Sequence, residues 1–119
     1  MQADLADLAQ VENAVAGVDG IVHLGGVSVE HPWDVVLSAN IVGCYNLFEA
    51  ARRQKVKRIV FASSNHAVGF YPRKRKIGVD EPLRPDSRYG VSKALYCSIS
   101  PSSRAHGSSL RSWRRLMHE

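Results

Sequence analysis

No apolar run in this sequence approaches the roughly 20 residues that a membrane-spanning helix requires, and no membrane partner is expected. The first residues, Met1-Gln2-Ala3-Asp4-Leu5, offer neither a basic region nor an apolar core, so no secretory leader is expected. Cysteine is scarce. Cys44 and Cys97 lack metal-ligand spacing, which argues against a zinc module, and together with the missing leader they read as reduced thiols in a cytoplasmic protein. Aromatic residues make up 8% of the chain, and none interleaves the basic run Arg73-Lys74-Arg75-Lys76. The net charge of +5 raises the question of a nucleic-acid partner. The charge sits in that one run after Pro72 and in Arg104, Arg111, Arg114 and Arg115, with no zinc or helix-turn-helix pattern. A solvated loop is the expected state of the run, and no nucleic-acid partner is expected.

What is present is a globular composition, 45% hydrophobic over 119 residues, enough for one modest domain. Asp4 to Ala16 reads as a helix, with Leu8, Val11 and Val15 at +3 and +4 spacing and Gly17 as its stop. Gly20-Ile21-Val22-His23-Leu24 reads as a short buried strand, closed by Gly25-Gly26. In a parallel sheet, ligands collect at strand carboxyl ends, and paired glycines admit a close backbone or ligand; a plain tight turn is the alternative. Pro32 to Gln54 reads as a helix whose stripe is Val36, Asn40, Gly43, Leu47 and Ala50. Asn40 therefore lies on the buried face and needs a partner, since an unpaired buried amide costs about 1–3 kcal/mol. It either ties down a neighbouring backbone or holds an active-site water or loop. Arg58-Ile59-Val60-Phe61-Ala62 reads as a second buried strand, running into Ser63-Ser64-Asn65-His66. A hydroxyl, an amide and an imidazole at a strand end suit a polyhydroxylated ligand or a carboxylate, and they equally suit turn and capping chemistry. Val68 to Pro85 reads as a loop.

Asp86 or Ser87 can cap the next helix, which carries Tyr89-Gly90-Val91-Ser92-Lys93. On a helix, positions i and i+4 share a face. A free phenol titrates near ~10, and an adjacent ammonium favours its anion. A shift of about 3 units would take roughly 4 kcal/mol, with help from the helix N-terminus, and would give a base able to deprotonate an alcohol. Alone, a Tyr-x-x-x-Lys pair is a weak signal. After Lys93 the composition turns Ser-rich and basic, with Pro101 as a helix breaker, and reads as a tail. The elements together indicate an α/β unit with a parallel sheet.

Several segments, in order, resemble the extended short-chain dehydrogenase/reductase family, the NAD-dependent epimerase/dehydratase group. They are Asp4-Leu5, Val22 to Gly26, Asn40 to Leu47, Phe61 to Ser64 and Tyr89 to Lys93. Within that group, Ser63 to Tyr71, Leu24 to Ser28 and Arg84-Pro85-Asp86 are most similar to the uronate dehydrogenases. The resemblance implies a partial Rossmann-like, doubly wound parallel sheet over residues 1–94, containing the central strands and helices, with a divergent tail at 95–119. No Gly-x-x-Gly-x-x-Gly precedes Asp4, and residues from about Leu95 onward differ from the family helix, so a domain truncated at both ends is expected.

The resemblance also implies a chemistry. Ser64, Tyr89 and Lys93 would be catalytic. Asp4, Leu5, Leu24, Gly25, Gly26, Asn40, Tyr89 and Lys93 would bind NAD rather than NADP, and Ser28, Ser64, Asn65 and His66 would contact the substrate; no metal is implied. The implied partner is a small sugar acid, a hexuronate oxidised at its anomeric carbon to an aldarolactone. A nucleotide-sugar epimerase or dehydratase, or an inactive fragment serving as an interaction module, is the alternative. Family members often self-associate, but the sequence leaves the oligomeric state open.

Overall fold

In a computed structural model, residues 1–78 and 81–99 are described. Helix α1 (Leu8–Val15) is capped by Asp7, whose carboxylate accepts from the backbone N–H groups of Ala9 and Gln10. The helix therefore starts four residues later than its apolar spacing suggested, because Asp4 caps a separate turn by accepting from Ala6 N. Gly17, with φ +73°, turns the chain towards β1 (Gly20–His23).

The long helical stretch begins with α2 (Trp33–Val36). It passes through a π-helical segment (Leu37–Val42) and continues as α3 (Gly43–Arg53). The apolar stripe read from the sequence holds through the π segment: Val36, Asn40, Gly43, Leu47 and Ala50 are all buried. Lys55, in the left-handed region at φ 58°, leads to β2 (Arg58–Phe61). The two strands pair in parallel, Gly20 opposite Arg58 and His23 opposite Phe61, and Ala62 N extends the ladder by donating to His23 O.

Helices cover one face of this sheet. Val11, Val15, Leu47 and Ala50 form one cluster, against which Leu5, Leu8 and Ile21 pack. Cys44, Phe48 and Tyr96 form a second, against Ile59 and Phe61. Both strands were expected to be buried, but Val22 and Val60, one residue out of phase, point to the uncovered face and are exposed, and Leu24 lies beyond the end of β1, because strand alternation puts only every second side chain under the helices. A short 3₁₀ turn (Asn65–Val68) follows β2, and α4 (Arg88–Ile99) closes the described chain.

Helix α4 runs straight through the boundary drawn at Ala94. Tyr96, 4% exposed, stacks on Phe48 at 5.5 Å and donates its hydroxyl to Ile41 O at 2.6 Å. One aromatic anchor thus carries the helix on, where the composition alone showed no apolar stripe. Of the expected tail, residues 100–119 lie outside the described residues.

Candidate active site

The carboxyl ends of β1 and β2 and the first turns of α4 converge on one region. Ser87 caps α4, its hydroxyl accepting from Gly90 N at 3.0 Å. Gly90 is required there, because an added Cβ would collide with His66 O. That close approach seats the 3₁₀ turn against α4 and places the His66 and Tyr89 rings edge to face at 5.7 Å. Ser64 caps the 3₁₀ turn, accepting from His66 N at 3.2 Å, and its hydroxyl is within reach of Asn65 Oδ1 at 3.3 Å.

Lys93 is buried between the sheet and Tyr89. Its ammonium donates to Ala62 O at 3.0 Å and lies 4.9 Å from the Phe61 ring centre and 5.6 Å from that of Tyr89. Burial holds its pKa below the ordinary lysine value, opposed by the nearby Cys44 and Cys97 thiols. His23 lies under the same charge, stacked on Phe61 at 5.8 Å; burial and then Lys93 lower its pKa, favouring a neutral ring. Burial pushes the Cys44 thiol up to about 12, so it is an inert core group.

Asn40 ties down a neighbouring backbone, the first of its two readings, and that backbone belongs to the loop after β1. Its Oδ1 accepts from Val27 N (2.8 Å), and its Nδ2 donates to Val27 O (3.0 Å) and Ser92 Oγ (3.2 Å). Ser92 in turn donates to Tyr89 O at 2.7 Å. Gly26, at φ +109°, lies so close that an added Cβ would strike the Asn40 amide oxygen. The loop after β1 is also held at Glu30, whose carboxylate accepts from Tyr89 N at 3.1 Å. Ser28 lies exposed on this twice-anchored loop.

The residues expected near a nucleotide occupy a second, adjoining region. Leu5 packs beside Gly25 and Gly43, and its carbonyl accepts from Asn46 Nδ2 at 2.9 Å. Leu24 is 73% exposed at the strand end. Asp4 lines a cavity of about 350 Å³ with Ala6, Asp34, Val35, Ser38 and Ala39. The structure thus gathers Ser64, Asn65, His66, Tyr89 and Lys93 at one end. It sets Asp4 and Leu5 apart from them, with Gly25 and Gly26 between.

Four residues of the arrangement had no site role in the sequence reading: Glu30, Asn46, Asp86 and Ser92. Of these, Ser92, Asn46 and Asp86 lay inside segments the sequence had singled out, Tyr89 to Lys93, Asn40 to Leu47 and Arg84-Pro85-Asp86, and only Glu30 had no such signal. Among the described residues, no group of three or more His, Cys, Asp or Glu could hold a metal, and no helix is long and apolar enough to cross a membrane.

The model of the NAD dependent epimerase/dehydratase family matches residues 1–113. The chain belongs to that family. It is 59% identical over 95 residues to the uronate dehydrogenase of Agrobacterium fabrum, covering 80% of this chain and 36% of that protein. Among solved structures it superposes on the glucuronic acid dehydrogenase of Chromohalobacter salexigens with a TM-score of 0.80, at 54% identity, covering 84% of this chain and 38% of that one. A mutant uronate dehydrogenase from Agrobacterium tumefaciens, complexed with NAD, gives a TM-score of 0.80 at 51% identity, covering 90% and 41%. This epimerase/dehydratase-family chain therefore spans little more than a third of the length of these relatives.

Proposed function

We propose that the chain carries the catalytic segment of an NAD-dependent uronate dehydrogenase, an oxidoreductase that converts a hexuronate to its aldarolactone. The observation that carries this reading is that Lys93 and His66 both approach the Tyr89 ring, with Ser64 bonded to His66 N beyond β2, in a chain 59% identical over 95 residues to a uronate dehydrogenase. Tyr89 takes the proton of the anomeric hydroxyl through its phenolic oxygen, and Ser64 orients that hydroxyl. Asn65, His66 and Ser28 contact the remaining hydroxyls and the carboxylate.

The residues present fit the two ends of NAD. At one end, Lys93 spends one of its three N–H donors on Ala62 O, which suits it to hold ribose hydroxyls beside Tyr89. At the other, Asp4 and the cavity beside it suit the adenosine, with Leu24, Gly25 and Gly26 along the path between. When bound, the cofactor supplies the hydride acceptor. Asn40, whose Oδ1 accepts from Val27 N and whose two Nδ2 hydrogens go to Val27 O and Ser92 Oγ, supports the site by holding the loop after β1 beside the cofactor path.

The test is a segment exchange, placing residues 1–94 of this chain in the Agrobacterium uronate dehydrogenase. NADH formation is then followed with D-glucuronate and D-galacturonate. Turnover is expected, and Tyr89→Phe should lower kcat by roughly 10²–10⁴-fold while NAD⁺ affinity, measured by calorimetry, stays within a few-fold. Turnover that survives Tyr89→Phe would rule out Tyr89 as the base. A redox-neutral product with no net NADH would favour the epimerase alternative.

A further inference from the structure

Asp86 is joined to His66 across a loop of 19 intervening residues. His66 Nδ1 lies 2.9 Å from Asp86 Oδ1 and 3.1 Å from Oδ2. The backbone is joined too: Asp86 N donates to His66 O, Arg84 N to Ala67 O and Phe70 N to Arg84 O. Gly69 completes the seat, because an added Cβ would occupy the position of the Asp86 carboxylate. The Asp86 carboxyl is held below its ordinary value, first by His66 and also by Ser87, whose hydroxyl donates to Oδ1 at 3.1 Å.

An ionised carboxylate accepts hydrogen bonds and cannot donate them, and a neutral imidazole carries its proton on one nitrogen. With Nδ1 facing the carboxylate, the neutral form of His66 carries its proton on Nδ1 and leaves a lone pair on Nε2. The His66 ring lies edge to face with Tyr89, and its side chain is 47% exposed. We infer that Asp86 is a positioning residue that fixes His66 as the Nδ1–H tautomer, so that Nε2 accepts a hydrogen bond from a hydroxyl of the ligand. The ligand carboxylate, which has no proton to give, is then bound elsewhere. The inference rests on the sugar-acid reading for the identity of that hydroxyl.

The test uses the full 119-residue chain labelled with ¹⁵N-histidine, with His66 assigned by its loss in His66→Gln. Long-range ¹H–¹⁵N spectra at neutral pH should show a protonated Nδ1 and an unprotonated Nε2. Asp86→Asn, whose amide can donate as well as accept, should mix the tautomers or reverse them. Gly69→Ala, which touches neither ring nor carboxylate chemically, should do the same by displacing the carboxylate, and serves if Asp86→Asn fails to fold. A wild-type ring protonated on Nε2, or a tautomer unmoved by either change, would overturn the inference.

Titration with D-glucuronate should shift Nε2, and titration with acetate, a carboxylate without hydroxyls, should leave it in place. An equal shift with acetate, or none with either, would also overturn it. In the exchanged enzyme, Asp86→Asn should raise the uronate KM about tenfold with a smaller effect on kcat. If the exchanged enzyme fails to turn over while the tautomer depends on Asp86, the proposed reaction fails and the role of Asp86 stands.

Discussion

Asn40 and Ser92, 52 positions apart in sequence, meet at 3.2 Å in the interior. Through that contact and the Asn40–Val27 pair, the helix carrying Tyr89 and Lys93 is fixed to the loop carrying Ser28. Asn40→Ala would leave both backbone polar groups of Val27 without their side-chain partner and take one donor from the Ser92 hydroxyl, which keeps its bond to Tyr89 O. A cost of about 1–3 kcal/mol is expected. Urea unfolding measures it, and hydrogen exchange should show faster exchange at Val27 than at Val11 in the core. If Val27 exchanges as slowly as before, Asn40 does not hold the loop.

The Glu49 carboxylate is buried on α3. Its pKa is lowered to about 2, first by hydrogen bonding from Arg52 and also by Arg53. Because the folded value lies below the unfolded one, the contribution is complete above about 4.5 and is lost as pH falls towards 2. Full conversion of the shift would give ~3 kcal/mol. Arg53 is half exposed and Arg52 a quarter exposed, so water screens the pairs and about 1–2 kcal/mol is expected. Glu49→Gln should therefore flatten the loss of stability between pH 5 and 2 (about that window) in denaturant titrations. An unchanged slope would place the acid sensitivity elsewhere.

The two strands were legible because each is a short β-branched run bounded by glycine or polar residues. The long helix was legible because its stripe from Val36 to Ala50 repeats every three or four residues. Such patterns record which way a side chain faces. They do not record which distant residue it meets, so Asp86 on His66, Glu30 on Tyr89 N and Asn46 on Leu5 O had no local signal. The π-helical segment was hidden for a related reason: it shifts the backbone hydrogen bonds while leaving the apolar stripe intact. The strand-end crowding of Ser64, Asn65 and His66 was readable, but the choice between ligand chemistry and capping was not. The structure shows Ser64 capping the 3₁₀ turn, a role compatible with holding a ligand as well.

Tyr96 tests where the folded unit ends. Its ring stacks on Phe48 and its hydroxyl reaches Ile41 O. Tyr96→Phe should cost ~1 kcal/mol for the lost hydrogen bond, and Tyr96→Ala about 3–5 kcal/mol, the range for truncating a buried aromatic. Thermal or urea unfolding compares them. If Tyr96→Ala costs no more than Tyr96→Phe, the ring is not part of the core and the folded unit stops near Ala94.

Lys93 separates what the fold needs from what the chemistry needs. Keeping an ammonium among Phe61, Tyr89 and the sheet is unfavourable, as its lowered pKa records. Its bond to Ala62 O offsets part of that cost. In Lys93→Met the buried charge disappears and the apolar stem remains, while Ala62 O loses its donor; the two effects oppose, and a net change within about 1 kcal/mol is expected. The same substitution should lower turnover in the exchanged enzyme by at least about 10²-fold, since it removes the proposed donor to the cofactor ribose and the cation beside Tyr89. The stability of the unsubstituted chain should also rise, as far as Lys93 decides it, when pH increases through the lowered folded value towards 10.5, because the unfolded chain then binds the proton more tightly than the folded one. Lys93→Met should abolish that alkaline gain. A loss of more than about 3 kcal/mol in Lys93→Met would show that the ammonium stabilises the fold, and its burial would then need no catalytic reason.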